Sequence, residues 1–248
     1  MDTKNTRTLT QSIIIMKTFP ILTESEFLQL CIRSLNNLCT TGDASKTVND
    51  VWAKYPAGSP AKYHAKPHVL YAASWTCAHT DPGFDFTESS GVSQSTLLIS
   101  LLYHDAVYIP GASNNEELSA ELAASCLRDI QVPNSLIKSV CKNIMCTKHD
   151  TDPEYTEGRC MVDADLSSLA SPDVEVVWHD TTRLWQESGM SEGFADSTIA
   201  FLQNLAKRDV YRSRFMSPQD RYQAQVNIAE ITRRLDLGLL NVAEFVAA

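Results

Sequence analysis

The chain lacks the sequence features that mark several large classes of protein. Its 248 residues contain no apolar run near the roughly 18 residues that a membrane-spanning helix needs. Its 21 lysines and arginines are outnumbered by 30 acidic residues, and the net charge of −9 argues against a broad nucleic-acid-binding face. The seven cysteines are an odd number with no Cys-x-x-Cys, which disfavours a disulfide framework. We expect a cytoplasmic protein without a nucleic-acid or membrane partner.

The signals of β-structure are also missing. Alternation of apolar and polar residues is nowhere sustained, and no Asn-Gly or Asp-Gly turn occurs. Helix signals are frequent instead: Thr23-x-x-Glu26 has the pattern of a capping box before an amphipathic stretch, and Ser113-x-x-Glu116 has the same pattern. The sequence predicts an all-α, single-domain bundle of about nine or ten helices over residues 21–248.

The same patterns assign three segments of the chain. Residues 1–20 contain only a three-residue isoleucine run, too short for a signal peptide. They are predicted to form a flexible N-terminal extension, with a transit peptide as the alternative. A helix is predicted over residues 93–108, since this is the most apolar stretch of the chain. Residues 150–160 are polar and are predicted to form a loop.

Ionisable residues interrupt three of the predicted core helices. His104-Asp105 cuts the apolar stretch "LLISLLYHDAVYIPG", His68 precedes "VLYAA", and Asp165 lies in "MVDADLSSLA". His-Asp pairs occur three times in the chain, so the dipeptide alone is a weak signal. Burying such groups costs several kcal/mol unless they are paired or bind a metal. For any single residue a separate hydrogen bond is the simpler explanation, but the ordered set predicts one shared divalent cation.

The ordered set His68…His104-Asp105…Asp165 resembles the HD superfamily of metal-dependent phosphohydrolases. More narrowly, the chain looks like a group of predicted HD phosphohydrolases of poorly defined substrate. The matching segments are, in order, "YHAKPHV", "YHDAVYIPGASNNEELSA", "CTKHD", "VDADLSSLAS" and "RDVYRSRF", which cover roughly residues 45–235. The resemblance implies that the helical bundle is an HD-type domain and that these four residues are its metal ligands.

Two choices within the ligand set stay open. His68 is preferred to His64 because the family's first ligand is followed by an apolar helix, and His64 is then expected to contact the substrate. Asp165 is preferred to Asp163 because the family's last ligand usually stands in an Ala-Asp-Leu or Ala-Asp-Arg context, although Asp163 could replace it. The ion could be Mn, Mg, Fe, Co, Ni or Zn, and the sequence does not distinguish these.

The resemblance also implies roles for residues around the metal. Four residues are catalytic candidates: Asp105, Glu116, Glu117 and His149. One of them could act as general base, or could hold a metal-bound water or a phosphate oxygen. Asn115 and Ser119 match the same family element as the two glutamates, and Glu116 could instead only complete the cap with Ser113. The candidates for binding the substrate are His64, Lys62, Lys66 and Arg183. The pair His179-Asp180 has no matching ligand position and is interpreted as structural or superficial.

The expected function is hydrolysis of a phosphate ester in a nucleotide or other small phosphorylated metabolite by a metal-activated water. One alternative is an HD-type di-iron oxygenase, which needs two further histidines between the His-Asp pair and the last aspartate. Only His149 lies there. The other alternative is a catalytically inactive HD fold used as a binding module. The expected partner is the small phosphorylated substrate, and the sequence leaves a homo-oligomer open.

Overall fold

The computed structural model describes residues 19–38, 42–57, 62–80 and 94–240. These residues form ten α-helices and one short 3-10 helix, without a β-strand, so the prediction of an all-α bundle of about ten helices is confirmed. The helices are α1 (Glu24–Leu38), α2 (Ala44–Trp52), α3 (Lys66–His79), α4 (Gln94–Tyr103), α5 (Asn115–Asp129), α6 (Asn134–Cys146), α7 (Thr156–Asp165), the 3-10 helix (Ser167–Ala170), α8 (Val174–Glu187), α9 (Phe194–Lys207) and α10 (Pro218–Asp236). Residues 1–18, and with them most of the predicted extension, lie outside the described residues.

Helix α4 is the centre of the bundle. All residues from Thr96 to Tyr103 are buried, as expected for a helix that is apolar all round. It packs against α1, α2, α3, α5, α6 and α7. No helix in the described part of the chain is both long and apolar enough to cross a membrane.

A second group of helices covers one side of this core. Helix α10 packs against α8, α9 and the 3-10 helix, and the 3-10 helix also packs against α3. Asn227 of α10 is fully buried and donates two hydrogen bonds of 2.8 Å, to the carbonyl oxygens of Leu169 and Ser171. Through these two bonds, Asn227 holds the segment that follows α7 in place.

The capping predictions had different outcomes. The backbone N–H of Thr23 donates to Glu26 at 2.8 Å, and the N–H of Glu26 donates to the Thr23 hydroxyl at 3.2 Å, so this capping box is confirmed. The box predicted for Ser113 and Glu116 is wrong. The residue before α5 is Asn114, whose side chain makes no capping bond.

Two predicted boundaries also need correction. Helix α4 ends at Tyr103 instead of continuing to residue 108, because the side chains of His104 and Tyr55 occupy the carbonyls of its last turn. The predicted loop over residues 150–160 is wrong in its second half, since α7 begins at Thr156. The first turn of this helix is polar, so its sequence resembles that of a loop. Its apolar buried residues, such as Cys160, come later in the helix.

Candidate metal centre

Three helix ends bring the candidate ligands together. His68 is in the first turn of α3, while His104 and Asp105 directly follow the last residue of α4. Asp165 is the last residue of α7. Because α3, α4 and α7 pack against one another, residues that are far apart in sequence meet at one point inside the bundle.

The ligand atoms of this group lie at short distances from one another. Nε2 of His68 is 2.9 Å from Oδ1 of Asp165 and 3.2 Å from Nε2 of His104. Nε2 of His104 is 3.0 Å from Oδ2 of Asp105 and 3.5 Å from Oδ1 of Asp165. Donor atoms around one cation with bonds near 2.1 Å are separated by about 3 Å at right angles, so these spacings fit a single ion.

The orientation of His104 suits a metal ligand. Its side chain is almost fully buried, and Nδ1 donates a hydrogen bond of 2.8 Å to the carbonyl oxygen of Leu101. Nε2 therefore faces the other candidate ligands, an arrangement that fixes the ring of many metal-bound histidines. Burial favours the neutral ring and so lowers the pKa of His104, but the carboxylates of Asp105 and Asp165 outweigh it and raise the pKa well above its ordinary value.

Asp105 supplies the observation that points most directly to a cation. Its Oδ2 is buried and lies 3.0 Å from Nε2 of His104, yet no protein donor bonds to it in hydrogen-bonding geometry. Burial alone would raise the pKa of Asp105, but His104 and nearby histidines outweigh burial and lower it to about 2. A buried, ionised carboxylate requires positive charge beside it, which the His104 imidazolium supplies here and which a divalent cation could supply in its place. The residues present thus fit a divalent ion.

His68, His104 and Asp165 are the group among the described residues whose ligand atoms all lie within 4.8 Å of one another. Burial would raise the pKa of Asp165, yet hydrogen bonds from the surrounding histidines hold it well below its usual range. Together with Asp105 beside the group, its members offer two ionised carboxylates and two imidazoles, a donor set that borderline divalent cations prefer. This group could therefore bind a metal ion.

Asp163 occupies a different environment from Asp165. Its carboxylate is fully buried and accepts the backbone N–H groups of Arg212 at 2.6 Å and Ser213 at 2.8 Å. Burial raises its pKa to about 6, against the effect of these hydrogen bonds. The two aspartates thus face opposite ways, and Asp163 anchors the loop between α9 and α10.

The other catalytic candidates lie at different distances from the cluster. Nε2 of His149 is 2.8 Å from Oδ2 of Asp165, so His149 reaches the second oxygen of a candidate ligand. Glu117 pairs with Lys148. Glu116 lies in the first turn of α5, and neither glutamate belongs to the group of candidate ligands found in the described residues.

Asn115 and Ser119 have a structural task that the sequence pattern did not reveal. The Asn115 side chain accepts from the N–H of Ile109 at 2.9 Å and donates to its carbonyl at 3.1 Å. The Ser119 hydroxyl forms the same kind of pair with Val107, at 3.1 and 3.2 Å. Both residues therefore bind α5 to the loop that follows Asp105 and fix the direction of that loop.

A cavity of about 440 Å³ opens beside this loop and reaches Asp105. His64 forms part of its wall: Nδ1 lies 2.6 Å from Oε2 of Glu187, and the ring stacks on Tyr108 at a centroid distance of 3.7 Å. Glu187 is buried, which would raise its pKa, but the bonds from His64 outweigh burial and lower it. Lys62 also lines the cavity, with Nζ 3.9 Å from Glu187.

The remaining two substrate candidates point elsewhere. Nζ of Lys66 lies 2.8 Å from Glu24 and sits over the ring of Trp52, so this lysine ties α3 to the first two helices. Arg183 lies 3.6 Å from Asp180 and is not part of the cavity wall. Both are accounted for by pairs that the fold itself forms.

Two acidic residues of α8 lie near the centre: Glu187 was not singled out from the sequence, and Asp180 was interpreted as structural or superficial. Glu187 holds His64, and Asp180 lies close enough to His68 for their charges to interact, with burial raising the pKa of Asp180. Burial also raises the pKa of Tyr63, whose ring lies 4.5 Å from that of His68, and Asp180 adds to this shift. The two carboxylates are seven residues apart, which puts them on one face of α8. This seven-residue spacing was the sequence signal from which a shared acidic face of α8 could have been predicted.

No protein-family model matches the chain, and no curated protein matches it. A function must therefore be inferred from the arrangement of the residues themselves.

Proposed function

We propose that the chain is a metal-dependent phosphohydrolase that acts on a nucleotide or another small phosphorylated metabolite, as its resemblance to the HD superfamily implies. The observation that carries this proposal is the convergence of the ligand atoms of His68, His104 and Asp165, with a donorless oxygen of Asp105 beside them. A cavity large enough for a small metabolite adjoins them through Asp105.

The metal would be held by His68, His104, Asp105 and Asp165. When bound, a divalent ion supplies Lewis acidity, which lowers the pKa of a coordinated water and neutralises phosphoryl charge. Asp105 borders both the ligand group and the cavity, so it is placed to orient a water for attack on phosphorus. Lys54 and Lys62 line the same cavity and are the cations available to the phosphoryl oxygens.

His64 is the proton donor for the leaving group in this proposal. Glu187 is ionised and therefore accepts, so the proton of His64 on that side is on Nδ1. Nε2 is then the atom that can exchange a proton with a substrate in the cavity. Stacking on Tyr108 fixes the plane of the ring. As the water oxygen bonds to phosphorus and the ester bond breaks, Nε2–H would protonate the departing oxygen. The proton released by the water returns to the imidazole through solvent.

One observation favours a second candidate, the di-iron oxygenase. His149 contacts Oδ2 of Asp165 while His68 contacts Oδ1, so Asp165 and His149 are the residues that would hold a second ion. A second ion would need further ligands beside His149, and the ligand group found in the described residues contains none. Hydrolysis needs one ion only and is therefore preferred. An inactive HD fold that only binds ligands is the remaining candidate.

The test is phosphate release by metal-depleted protein that has been reloaded separately with Mn, Mg, Fe, Co, Ni or Zn, under nitrogen, on nucleotides and sugar phosphates. We expect turnover with at least one metal, its loss in Asp165→Asn, and its retention in His179→Gln, which changes an exposed histidine. Strict dependence on dioxygen together with two irons per chain would replace hydrolysis by the oxygenase. Ligand binding without turnover under any condition would leave only the binding module.

A further inference from the structure

Two arginines of one loop meet an aspartate of another loop outside the cavity. One loop covers residues 147–155, after α6, and the other covers residues 208–217, between α9 and α10. Nη1 of Arg208 and Nε of Arg212 both contact the same oxygen of Asp152, at 3.3 and 2.6 Å. The two guanidinium groups therefore lie side by side around one acceptor atom.

This acceptor does not satisfy all their donors. Nε of Arg208 and Nη1 of Arg212 are buried and have no acceptor in the protein, and the side chain of Arg212 is only 9% exposed. A guanidinium always carries its protons, so each of these N–H groups needs an acceptor. Leaving a buried donor unpaired is costly, so these two arginines would be stabilised by further acceptor oxygens beside them, as a ligand with several oxygens could supply.

The charge around Asp152 points to the same kind of ligand. Hydrogen bonding to Arg212 is the main cause of its lowered pKa, burial acts in the opposite direction, and Arg208 and Arg159 add to the lowering. Three cationic side chains thus gather on a chain whose net charge is −9. Asp152 itself is about half exposed, so its carboxylate lies at the surface and can move aside.

We propose that these loops form a phosphate-type oxyanion site, in which Arg208 and Arg212 bind the anion and Asp152 competes with it for the same donors. A tetrahedral oxyanion presents more acceptors than one carboxylate oxygen and matches the fork of donors on a guanidinium. The site requires neither the metal nor turnover, so it does not depend on the proposed phosphohydrolase activity. The ligand is either free inorganic phosphate or the phosphoryl group of a nucleotide.

The test is a titration of the full chain with inorganic phosphate and, separately, with AMP, in the presence of a chelator and at low ionic strength. Calorimetry measures affinity, and ¹H–¹⁵N spectra locate the site. We expect saturable binding that shifts the amides of residues 149–152 and 208–213. Arg208→Gln and Arg212→Gln should each weaken binding by roughly tenfold or more, the effect of one charge-assisted hydrogen bond.

Two further variants separate a specific site from general attraction. Asp152→Asn should strengthen binding, because it removes the competing charge and leaves both arginines in place. Arg214→Gln should leave the affinity unchanged within about twofold, since this exposed arginine of the same loop lies over Phe215. Tighter binding of AMP than of phosphate would assign the site to a nucleotide, and equal binding would assign it to free phosphate.

The proposal is overturned if neither ligand binds saturably, which would mean that water alone satisfies the two donors. It is also overturned if the shifted amides are confined to residues 62–64 and 105–108, around the cavity. Equal weakening by Arg214→Gln would show diffuse attraction instead of a site. Should Arg212→Gln fail to fold, Arg208→Gln and Asp152→Asn still decide the question.

Discussion

Nε2 of His68 lies 2.9 Å from Oδ1 of Asp165, although 97 residues separate them along the chain. His68 is in the first turn of α3 and Asp165 is the last residue of α7. Helix dipoles disfavour an imidazolium at a helix N-terminus and a carboxylate at a helix C-terminus. Each residue is therefore at the end of its helix where its charged form is less stable.

A cation between His68 and Asp165 would interact favourably with the helix ends that meet there. The C-terminal ends of α4 and α7 both meet at the cluster, and each carries partial negative charge that attracts a positive ion. A histidine binds a metal through its neutral ring, which the dipole of α3 does not oppose. The backbone thus favours the same occupant as the side chains.

The first prediction concerns metal content. Purified chain should contain about one equivalent of a divalent metal, and His104→Ala or Asp165→Ala should lose most of it, since each removes a ligand atom. Elemental analysis after gel filtration measures this, with His179→Ala as the matched control. Metal should also raise the midpoint of thermal unfolding of the wild-type chain, because it binds only the folded cluster. Full occupancy in His104→Ala would exclude this cluster as the site.

The second prediction distinguishes Asp163 from Asp165. Asp163→Ala leaves the buried N–H groups of Arg212 and Ser213 without an acceptor and should lower the free energy of unfolding by about 3 kcal/mol. Urea unfolding measures this, and elemental analysis should find the metal retained. Asp165→Ala should show the opposite pattern, with metal lost and stability of the metal-free protein less affected. Greater metal loss in Asp163→Ala would contradict our choice of ligand.

Much of the fold could be predicted because its signals are local. Each of these signals extends over only a few residues. Examples are the apolar run before His104, the capping box at Thr23 and the helix-breaking residues between helices. His104 and Asp165 could be singled out for the same reason, since an ionisable group in an apolar helix is conspicuous without any tertiary information.

The parts that could not be predicted depend on tertiary contacts. The polar side chain of Asn115 bonds to Ile109 instead of capping its own helix, and only the folded loop supplies that partner. Glu187 is a glutamate at the end of α8, a residue type that is usually exposed. It is nevertheless buried against His64, 123 residues away in the chain. Lys66 was a candidate for binding the substrate, but it pairs with Glu24. Sequence periodicity carries no information about which helix face meets which neighbour.

The third prediction tests the turn that starts α7. A Cβ on Gly158 would lie 2.6 Å from the ring of Tyr155 and 2.9 Å from Cβ of Pro153, closer than atoms can pack. Gly158→Ala should therefore lower the free energy of unfolding by roughly 1–3 kcal/mol. Gly193→Ala is the control, because a Cβ there has nothing within 4 Å. Equal urea midpoints for the two variants would show that the Tyr155 ring moves aside without cost.

The last prediction concerns the proton donor and compares two substrates that differ in leaving group. An alkyl phosphate needs its departing oxygen protonated, whereas p-nitrophenolate leaves readily without a proton. If His64 is the donor, His64→Gln should lower kcat/KM for the alkyl ester by roughly 100-fold or more, and for p-nitrophenyl phosphate by less than about tenfold. Glu187→Gln should give the same selectivity with a smaller loss, because it keeps the imidazole but weakens the bond that orients it. Metal content should remain that of the wild type in both variants. Equal losses on the two esters would assign His64 to binding instead of proton transfer, while failure of the wild-type chain to hydrolyse either ester would count against phosphohydrolase activity itself.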